Sequence, residues 1–328
     1  MPKNNRTSDN WQSAELQASL QRVSEHLRGM LTLPADITLG QGLDFAPTGK
    51  RLRPALVILC AGLFGAVNTT CERAAAALEA VHLASLFHDD VIDETDLRRG
   101  KPTLSALSSN KCAILLGDHT LAQATAVLAS LNNLEIVAIM SQAAIAMSQG
   151  QLLELEHQGD TATSTACYAE IIHGKTATLF KACCDIGAAL NNAPLDWRQK
   201  LRCYGENVGM AFQISDDILD IWGDEKQLGK PTFTDIAERK YTLPVLLALE
   251  RLEPARRLRL QELLEQEINA NNRQDILELL DGCGAREQAL KRVQFHSHAA
   301  WEILGELKER PQGQALADIA IWTAQRQA

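Results

Sequence analysis

Two stretches of the chain repeat one arrangement, in which three aspartates fall within five residues at the end of an apolar, helix-forming segment. The first reads HDDVIDET from His88, and the second reads FQISDDILD from Phe212. The two clusters are Asp89, Asp90 and Asp93, and Asp216, Asp217 and Asp220. Two copies of so unusual a pattern argue against chance. We therefore expect a fold whose intervening helices return the second cluster to a position opposite the first.

The carboxylates of each cluster repel one another unless a cation lies between them. On a helix, about 40° of rotation and about 6 Å of rise separate Asp89 from Asp93, so both face one side. Two carboxylates about 5 Å apart repel by roughly 3 kcal/mol at an effective dielectric constant of about 20. Mg²⁺ would relieve this repulsion, because it binds carboxylate oxygens and leaves positions for water or substrate phosphate. One cluster alone could be a solvated acidic helix end, but the second copy favours a metal site.

Paired arginines, Arg98 and Arg99, follow the first cluster. A guanidinium group binds two phosphate oxygens at once, and both arginines lie where a metal-bound phosphate could reach them. This arrangement indicates a phosphorylated ligand.

The composition argues against several classes of protein. The formal net charge is −9 without a basic block, so a nucleic-acid partner is not expected. The eight cysteines show no C-x-x-C pair and no zinc-site spacing, which is typical of a reduced, cytosolic protein. The first residues are too polar for a secretory signal, and the longest apolar run, 54–67, is too short for a transmembrane segment. We predict a soluble, cytoplasmic protein.

The apolar residues recur at helical spacing, and no segment alternates as a strand would. Hydrophobic residues make up 46% of the chain and aromatic residues only 5%, so Leu and Ala dominate the packing, which favours helices. The pattern predicts helices at about 111–131, 134–158, 165–190 and 196–222, a polar loop at 229–241, and further helices to about 326. We predict an all-α, single-domain helical bundle over residues 1–328, with 1–12 as a flexible polar lead.

Six segments, taken together, carry a family resemblance. They are GKRLRP at 49–54, HDDVIDETDLRRGKPT at 88–103, GD at 117–118, GKTATLF at 174–180, FQISDDILD at 212–220 and GKPTFTD at 229–235. In this order they resemble the trans-isoprenyl (polyprenyl) diphosphate synthase family, most of all its long-chain (hexaprenyl to octaprenyl) members. The resemblance implies a helical bundle of the isoprenoid synthase type around a central cavity.

The resemblance also implies a reaction. An allylic diphosphate, such as a farnesyl or geranylgeranyl diphosphate primer, ionises with the help of Mg²⁺, and the allylic cation alkylates the double bond of isopentenyl diphosphate. Proton loss then leaves a trans product that is one unit longer. The diphosphate leaves with its negative charge, so metal ions, lysines and arginines must stabilise it.

The same resemblance assigns roles to individual residues. Three Mg²⁺ ions would be bound by Asp89, Asp93 and Asp216, with support from Asp90, Asp217 and Asp220. The allylic diphosphate would be bound by Arg98, Lys175, Thr176, Gln213, Lys230 and Lys240, and the catalytic residues would be Lys175, Thr176 and Gln213. Isopentenyl diphosphate would be bound by Lys50, Arg53, His82 and Arg99.

Plain structural interpretations remain open for several of these residues. Lys50 and Arg53 could form an ordinary basic turn, and His82 could be a core histidine. The segment 174–176 could be a helix interruption, and Gln213 a buried polar residue. The chain also departs from the family pattern at Thr48 and Arg239, where glycines are usual, so Lys240 is the weakest of the predicted ligands.

Product length depends on the helix below the first cluster. Ala84, Val81 and Leu78 would lie about 7, 12 and 16 Å below Asp89. Short-chain members of the family place aromatic residues at the positions that are Ala84 and Ser85 here, so we expect an open path and a long-chain product.

Three other interpretations remain: a short-chain farnesyl or geranylgeranyl diphosphate synthase, a terpene cyclase, and a non-catalytic subunit that supports an active partner. By analogy with the family, we expect a homodimer. Transient contact with a membrane could accompany product release.

Overall fold

The computed structural model describes residues 11–33, 50–98, 100–228 and 231–326, apart from the side chain at 226. The helices are α1 (Ala14–Leu31), α2 (Leu52–Gly62), α3 (Thr69–Ile92), α4 (Leu104–Leu107), α5 (Asn110–Ser130), α6 (Leu134–Glu156), α7 (Thr165–Ile172), α8 (Thr178–Leu190), α9 (Leu195–Trp222), α10 (Glu225–Leu228), α11 (Thr234–Ala237), α12 (Leu243–Arg251), α13 (Pro254–Leu264), α14 (Ala270–Gly282), α15 (Ala285–Ile303) and α16 (Pro311–Gln325). A π-helical turn (His173–Ala177) joins α7 to α8, and a 3-10 turn (Gly305–Glu309) precedes α16. Strands β1 (Leu97–Arg98) and β2 (Lys101–Pro102) pair antiparallel.

The helices begin where the sequence supplies caps. The side chains of Ser13, Asn68, Ser109 and Ser164 each accept a hydrogen bond from the backbone N–H three residues on, at the starts of α1, α3, α5 and α7. The predicted all-α fold is confirmed, and the predicted helix limits agree closely with the observed ones. The π turn interrupts the predicted helix 165–190, the hairpin of β1 and β2 follows the first Asp cluster, and α11 lies inside the predicted loop 229–241.

Two hydrophobic cores share α9. The first contains the buried faces of α1, α2, α3, α8 and α16, and the second those of α12 to α15. Within α9, Tyr204 and Val208 belong to the first core, whereas Ile214 and Ile218 belong to the second. Because α9 joins both cores, its cluster at 216–220 is fixed from two sides. The prediction of a single domain stays a prediction, and this shared helix supports it.

Two details of the sequence analysis need correction. The predicted flexible lead, 1–12, falls mostly outside the described residues. Trp11, however, is only 2% exposed and packs in the first core, so its inclusion in the flexible lead was wrong. Among the described residues, α5 and α6 are also long and apolar enough to cross a membrane by length and composition, a criterion that core helices of soluble proteins meet as well. Polar residues interrupt the apolar sequence of both helices, so neither contains an unbroken apolar run that would mark it in the sequence.

Candidate active site

A cavity of about 720 Å³ lies between the two Asp clusters. Its walls come from the end of α3, the hairpin, the end of α6, α7, the π turn, α9 and the segment 231–242. Four of the six clustered aspartates line it: Asp89, Asp93, Asp216 and Asp217. The fold thus brings the two clusters to one cavity, as their repetition predicts.

The first cluster lies at the C-terminal end of α3, which ends at Ile92, with Asp93 as its C-cap. Carboxylates are unfavourable there because the last carbonyl groups of a helix carry partial negative charge. Lys240 compensates by an ion pair with Asp93 at 2.7 Å. Burial raises the pKa of Asp89, and Lys175 opposes that shift. A cation in the cavity would therefore stabilise both Asp89 and Asp93.

Asp90 points away from the cavity. It is buried, and its carboxylate accepts a hydrogen bond from Nε of Arg98 at 2.6 Å. Arg98 itself lines the cavity from β1. Asp90 thus orients the arginine that was predicted to bind the allylic diphosphate.

In the second cluster, Asp216 faces the cavity and accepts a hydrogen bond from Arg326 at 2.5 Å. Asp217 is only 2% exposed, and it accepts hydrogen bonds from the hydroxyl of Tyr168 and from Nε2 of Gln213, the latter at 2.9 Å. Burial raises the pKa of Asp217 to about 7, although both hydrogen bonds oppose the shift. The second cluster thus holds one carboxylate for the cavity and one in a buried network.

Asp220 is buried below the cavity wall and does not line it. Its carboxylate accepts hydrogen bonds from the backbone N–H of Thr234 at 3.3 Å, from the Thr234 hydroxyl and from the backbone N–H of Asp235 at 3.1 Å. Asp220 thereby fixes the start of α11, and the adjacent wall of the cavity depends on it.

The π turn presents Lys175 and Thr176 to the cavity, and glycines on its neighbours make that position possible. A Cβ on Gly150 of α6 would lie 2.5 Å from the backbone nitrogen of Lys175, and one on Gly209 of α9 would lie 2.6 Å from Cα of Ala177. Only glycine lets both helices approach the turn so closely. The helix interruption that was considered at 174–176 and the predicted ligands Lys175 and Thr176 therefore lie in the same π turn.

The cavity side of the π turn is tied to its neighbours by polar contacts. Lys175 forms an ion pair with Glu154 of α6, and the Thr176 hydroxyl donates a hydrogen bond to Oε1 of Gln213 at 2.8 Å. Gln213 in turn donates to Asp217. All three predicted catalytic residues, Lys175, Thr176 and Gln213, therefore line one wall.

Lys240 lines the cavity despite the missing glycine before it. Arg239 takes the left-handed conformation, with φ of 58°, in which a glycine would carry no strain. Its carbonyl oxygen accepts a hydrogen bond from the N–H of Gly159 at 2.8 Å. Arg239 thus adopts a conformation that favours glycine, and Lys240 still lines the cavity.

The residues predicted to bind isopentenyl diphosphate lie outside this cavity where the structure describes them. Lys50, Arg53 and His82 are not among the residues that line it. The ammonium group of Lys50 lies 5.0 Å from the ring centre of Trp322, and the guanidinium group of Arg53 lies 4.6 Å from that of Phe180. The two other predicted diphosphate ligands, Arg99 and Lys230, lie outside the described residues.

The predicted chain-length residues are packed rather than open to the cavity. Leu78, Val81 and Ala84 are buried in the core, and none of the four residues lines the cavity. The Ser85 hydroxyl donates to the carbonyl oxygen of His82 at 2.8 Å. These four residues therefore lie outside the cavity that holds the Asp clusters, and the open path expected from the sequence stays a prediction. Whether these residues set product length stays a prediction.

The acidic residues of the cavity suit a hard divalent cation that also binds substrate. Within the described part of the chain, no three acidic, His or Cys side chains are close enough to hold one metal ion by themselves. Asp89 and Asp93 form one pair, and Asp216 faces them from the other wall. Mg²⁺ accepts such incomplete sets, because phosphate oxygens and water fill its remaining positions.

Among the polar residues of the site that sequence reasoning did not single out are Glu154, Tyr168, Asp235 and Arg326. Two of them had a signal: Glu154 is one of few charged residues near the end of an otherwise apolar helix, and Asp235 stands in the segment 229–235 that carries part of the resemblance. Tyr168 and Arg326 had none, since only tertiary packing brings them to the clusters.

Comparison with known proteins identifies the family. The model of the polyprenyl synthetase family matches residues 42–280. The chain belongs to that family. It is 34% identical to the octaprenyl diphosphate synthase of Escherichia coli, over 85% of this chain and 86% of that protein. It is also 34% identical to heptaprenyl diphosphate synthase component 2 of Bacillus subtilis, over 85% of this chain and 79% of that protein.

A solved relative has the same architecture as this polyprenyl synthetase. The polyprenyl synthase of Caulobacter crescentus, complexed with calcium and isoprenyl diphosphate, superimposes with a TM-score of 0.90 and 32% sequence identity, and all of each chain is covered. The predicted isoprenoid synthase fold is confirmed. The predicted enzyme class, a long-chain trans-prenyltransferase, is confirmed as well.

Proposed function

We propose that the chain condenses an allylic diphosphate with isopentenyl diphosphate by ionisation, 1'-4 alkylation and proton loss, and that it repeats this step to give a long-chain trans-polyprenyl diphosphate. Farnesyl or geranylgeranyl diphosphate is the proposed primer. The observation that supports this proposal most is the arrangement of the cavity, where Asp89 and Asp93 face Asp216 with Arg98, Lys175 and Lys240 around them. Such a site matches a substrate that carries a diphosphate.

The proposed cofactor is Mg²⁺, with three ions present when substrate is bound. Asp89, Asp93 and Asp216 would hold them, because these carboxylates face the cavity. Asp90, Asp217 and Asp220 support the site from behind through Arg98, Gln213 and the start of α11. Bound Mg²⁺ would supply positive charge to the departing diphosphate.

The chain's own cations would bind the allylic diphosphate. Arg98 can donate two parallel hydrogen bonds to phosphate, while Lys175 and Lys240 act as point charges in the cavity wall. Thr176 and Gln213 are fixed by each other and by Asp217, so they are suited to orient the allylic carbons. Lys230 is assigned to the same diphosphate by resemblance alone.

Lys50, Arg53, His82 and Arg99 are proposed to bind isopentenyl diphosphate. The two that the structure places on aromatic rings, Lys50 and Arg53, lie near the start of α2 and outside the residues that line the cavity. These two cations lie apart from the cavity of the Asp clusters and could bind a second diphosphate. A terpene cyclase binds no second diphosphate, so this feature favours a synthase.

A long-chain product requires a path past Ser85, Ala84, Val81 and Leu78. We expect Ala84→Phe and Ser85→Phe to shorten the product, because an aromatic ring would block growth close to Asp89. Unchanged product length in both variants would contradict the path. Product size separates this proposal from the short-chain synthase.

We propose a homodimer formed through α5 and α6. Both helices are apolar, yet only 39% of the most apolar 18-residue stretch of α5 and 22% of that of α6 is buried. Exposed Ile114, Leu115, Ile145 and Leu152 lie on these helices and would be covered by a second copy. Analytical ultracentrifugation should give a dimer, and a monomer active only with a second kind of subunit would support the partner suggested by the heptaprenyl component name.

The proposed setting is the cytoplasm, where the eight cysteines remain thiols. The product's apolar chain would leave through transient contact with a membrane.

Elongation of a labelled substrate tests the function directly. The purified chain is incubated with Mg²⁺, labelled isopentenyl diphosphate and a farnesyl or geranylgeranyl primer, and the dephosphorylated products are sized. We expect hexaprenyl or longer products that disappear when Mg²⁺ is chelated. No elongation with either primer would refute the proposal, and products that stop at geranylgeranyl would establish the short-chain candidate.

A further inference from the structure

Three carboxylates that line the cavity are each paired with a cation of the chain. Asp93 pairs with Lys240, Glu154 with Lys175, and Asp216 with Arg326. Lys240 and Lys175 are already proposed ligands of a diphosphate. The third cation, Arg326, is the C-cap of α16 and pairs with Asp216, a proposed metal ligand, as Lys240 pairs with Asp93.

The guanidinium group of Arg326 is held more by aromatic rings than by hydrogen bonds. It lies 4.2 Å from the ring centre of Phe212 and 5.0 Å from that of Trp322. Nη2 binds Asp216 at 2.5 Å, but Nη1 is buried and has no hydrogen-bond partner among the residues that the structure describes. A buried guanidinium donor without an acceptor is costly, so this side chain has an unused capacity to bind an anion.

The same aromatic rings connect Arg326 with the proposed site for isopentenyl diphosphate. Phe180, Phe212 and Trp322 form a row, with ring centres 5.4 and 6.4 Å apart. Lys50 lies over Trp322, and Arg53 lies over Phe180. Three cations therefore share one row of rings, and Arg326 also reaches the second Asp cluster through Asp216.

We propose that Arg326 is a displaceable counter-ion. It neutralises Asp216 while no metal is bound, and it binds the diphosphate of isopentenyl diphosphate once a divalent cation has taken that carboxylate. The second half of this inference rests on the proposed function, and the first half does not. The exchange leaves neither charge without a partner, because the divalent cation replaces the guanidinium at Asp216 and the freed guanidinium pairs with the diphosphate.

The counter-ion role is tested by titrating Mn²⁺ into the substrate-free protein by calorimetry. Arg326→Gln removes the competitor and should tighten Mn²⁺ binding on the order of threefold to tenfold, whereas Arg326→Lys, which keeps the charge, should bind like the wild type. Lys181→Gln is the control, because Lys181 pairs outside the cavity with Glu206, whose carboxylate is as exposed as that of Asp216. Equal or weaker Mn²⁺ binding by Arg326→Gln would overturn the proposal.

The diphosphate role is tested by steady-state kinetics at saturating Mg²⁺. Arg326→Gln should raise KM for isopentenyl diphosphate about tenfold and leave KM for the allylic primer within about twofold, and Arg326→Lys should restore part of the loss. An equal rise in both KM values would indicate general damage and overturn this role. If the wild type elongates no primer, the proposed function fails, but the Mn²⁺ titration still decides the counter-ion role because it contains no substrate.

Discussion

The two Asp clusters have the same spacing and different surroundings, and the third aspartate of each shows the difference best. Asp93 caps the end of α3, faces the cavity and pairs with Lys240. Asp220 lies before the end of α9, is buried and holds the backbone of Thr234 and Asp235. The repeated motif thus places Asp89 and Asp93 at the cavity with Asp90 turned to Arg98, whereas in the second cluster Asp216 and the buried Asp217 line the cavity and Asp220 holds the backbone of α11.

The cause of this difference is where each helix stops. α3 ends inside its cluster, so the chain turns away and leaves Asp89 and Asp93 at the cavity edge. α9 continues to Trp222, so its cluster stays on a helix that packs against other elements, and only Asp216 points to the cavity without being deeply buried. Identical spacing therefore does not mean identical function.

The largest effect is expected where the two clusters are alike. Asp89→Asn and Asp216→Asn should each lower kcat for elongation by on the order of 10³, because each removes a charge that holds the metal opposite the leaving diphosphate. Steady-state assays measure the loss, and thermal unfolding provides the control for folding. A loss in one variant only would mean that one cluster suffices.

The next effect separates the clusters by stability. Asp220→Asn should lower the free energy of unfolding by about 2 kcal/mol. In the wild type both carboxylate oxygens accept hydrogen bonds from backbone N–H groups, and the NH₂ group of asparagine would place a donor against one of these donors. Asp89→Asn should leave that free energy unchanged or raise it, since burial and the charge of Asp93 destabilise the ionised Asp89, as its raised pKa indicates. Urea denaturation without metal measures both. Equal losses would contradict the contrast between the clusters.

The π turn serves both clusters, and a single methyl group tests its packing. Gly150→Ala should lower the free energy of unfolding by about 1–3 kcal/mol and impair elongation, because its Cβ would meet the Lys175 backbone at 2.5 Å. Gly29→Ala is the matched control, since its Cβ would have no atom within 4 Å, and it should be neutral or stabilising. Similar behaviour of both variants would argue against close packing at the turn.

The smallest effect concerns the loop that neutralises the first cluster. Arg239→Gly should raise the free energy of unfolding by up to about 1 kcal/mol, because glycine adopts the left-handed conformation without strain. Activity should stay near that of the wild type, since the direction of Lys240 does not change. Thermal unfolding checks the first statement, and a lower melting temperature would show that the Arg239 side chain stabilises the loop.

Much of the molecule could be predicted from local signals. Helix limits follow from apolar spacing and caps such as Ser109 and Ser164, and the Asp clusters stand out in any reading of the chain. The sequence could not show that Asp90 turns to Arg98, or that Asp220 caps α11, because the same spacing serves both clusters. Those differences depend on where the neighbouring backbone lies.

The rest of the site depends on contacts between distant parts of the chain. Arg326 reaches Asp216 only because α16 packs against α2 and α9, and Tyr168 reaches Asp217 only because α7 lies beside the π turn. The burial of Leu78 and Val81 is also a result of packing, since these apolar side chains could line a path or fill a core equally well. Spacing predicts helix faces, and packing decides what each face meets.

The central claim is that both clusters hold divalent cations around one diphosphate. The most direct measurement is the number of Mn²⁺ ions bound in the presence of a non-reactive allylic diphosphate analogue, by electron paramagnetic resonance, for the wild type, Asp89→Asn and Asp216→Asn. We predict that each variant binds fewer Mn²⁺ ions than the wild type. An unchanged number in either variant would contradict the claim that its cluster is a metal site.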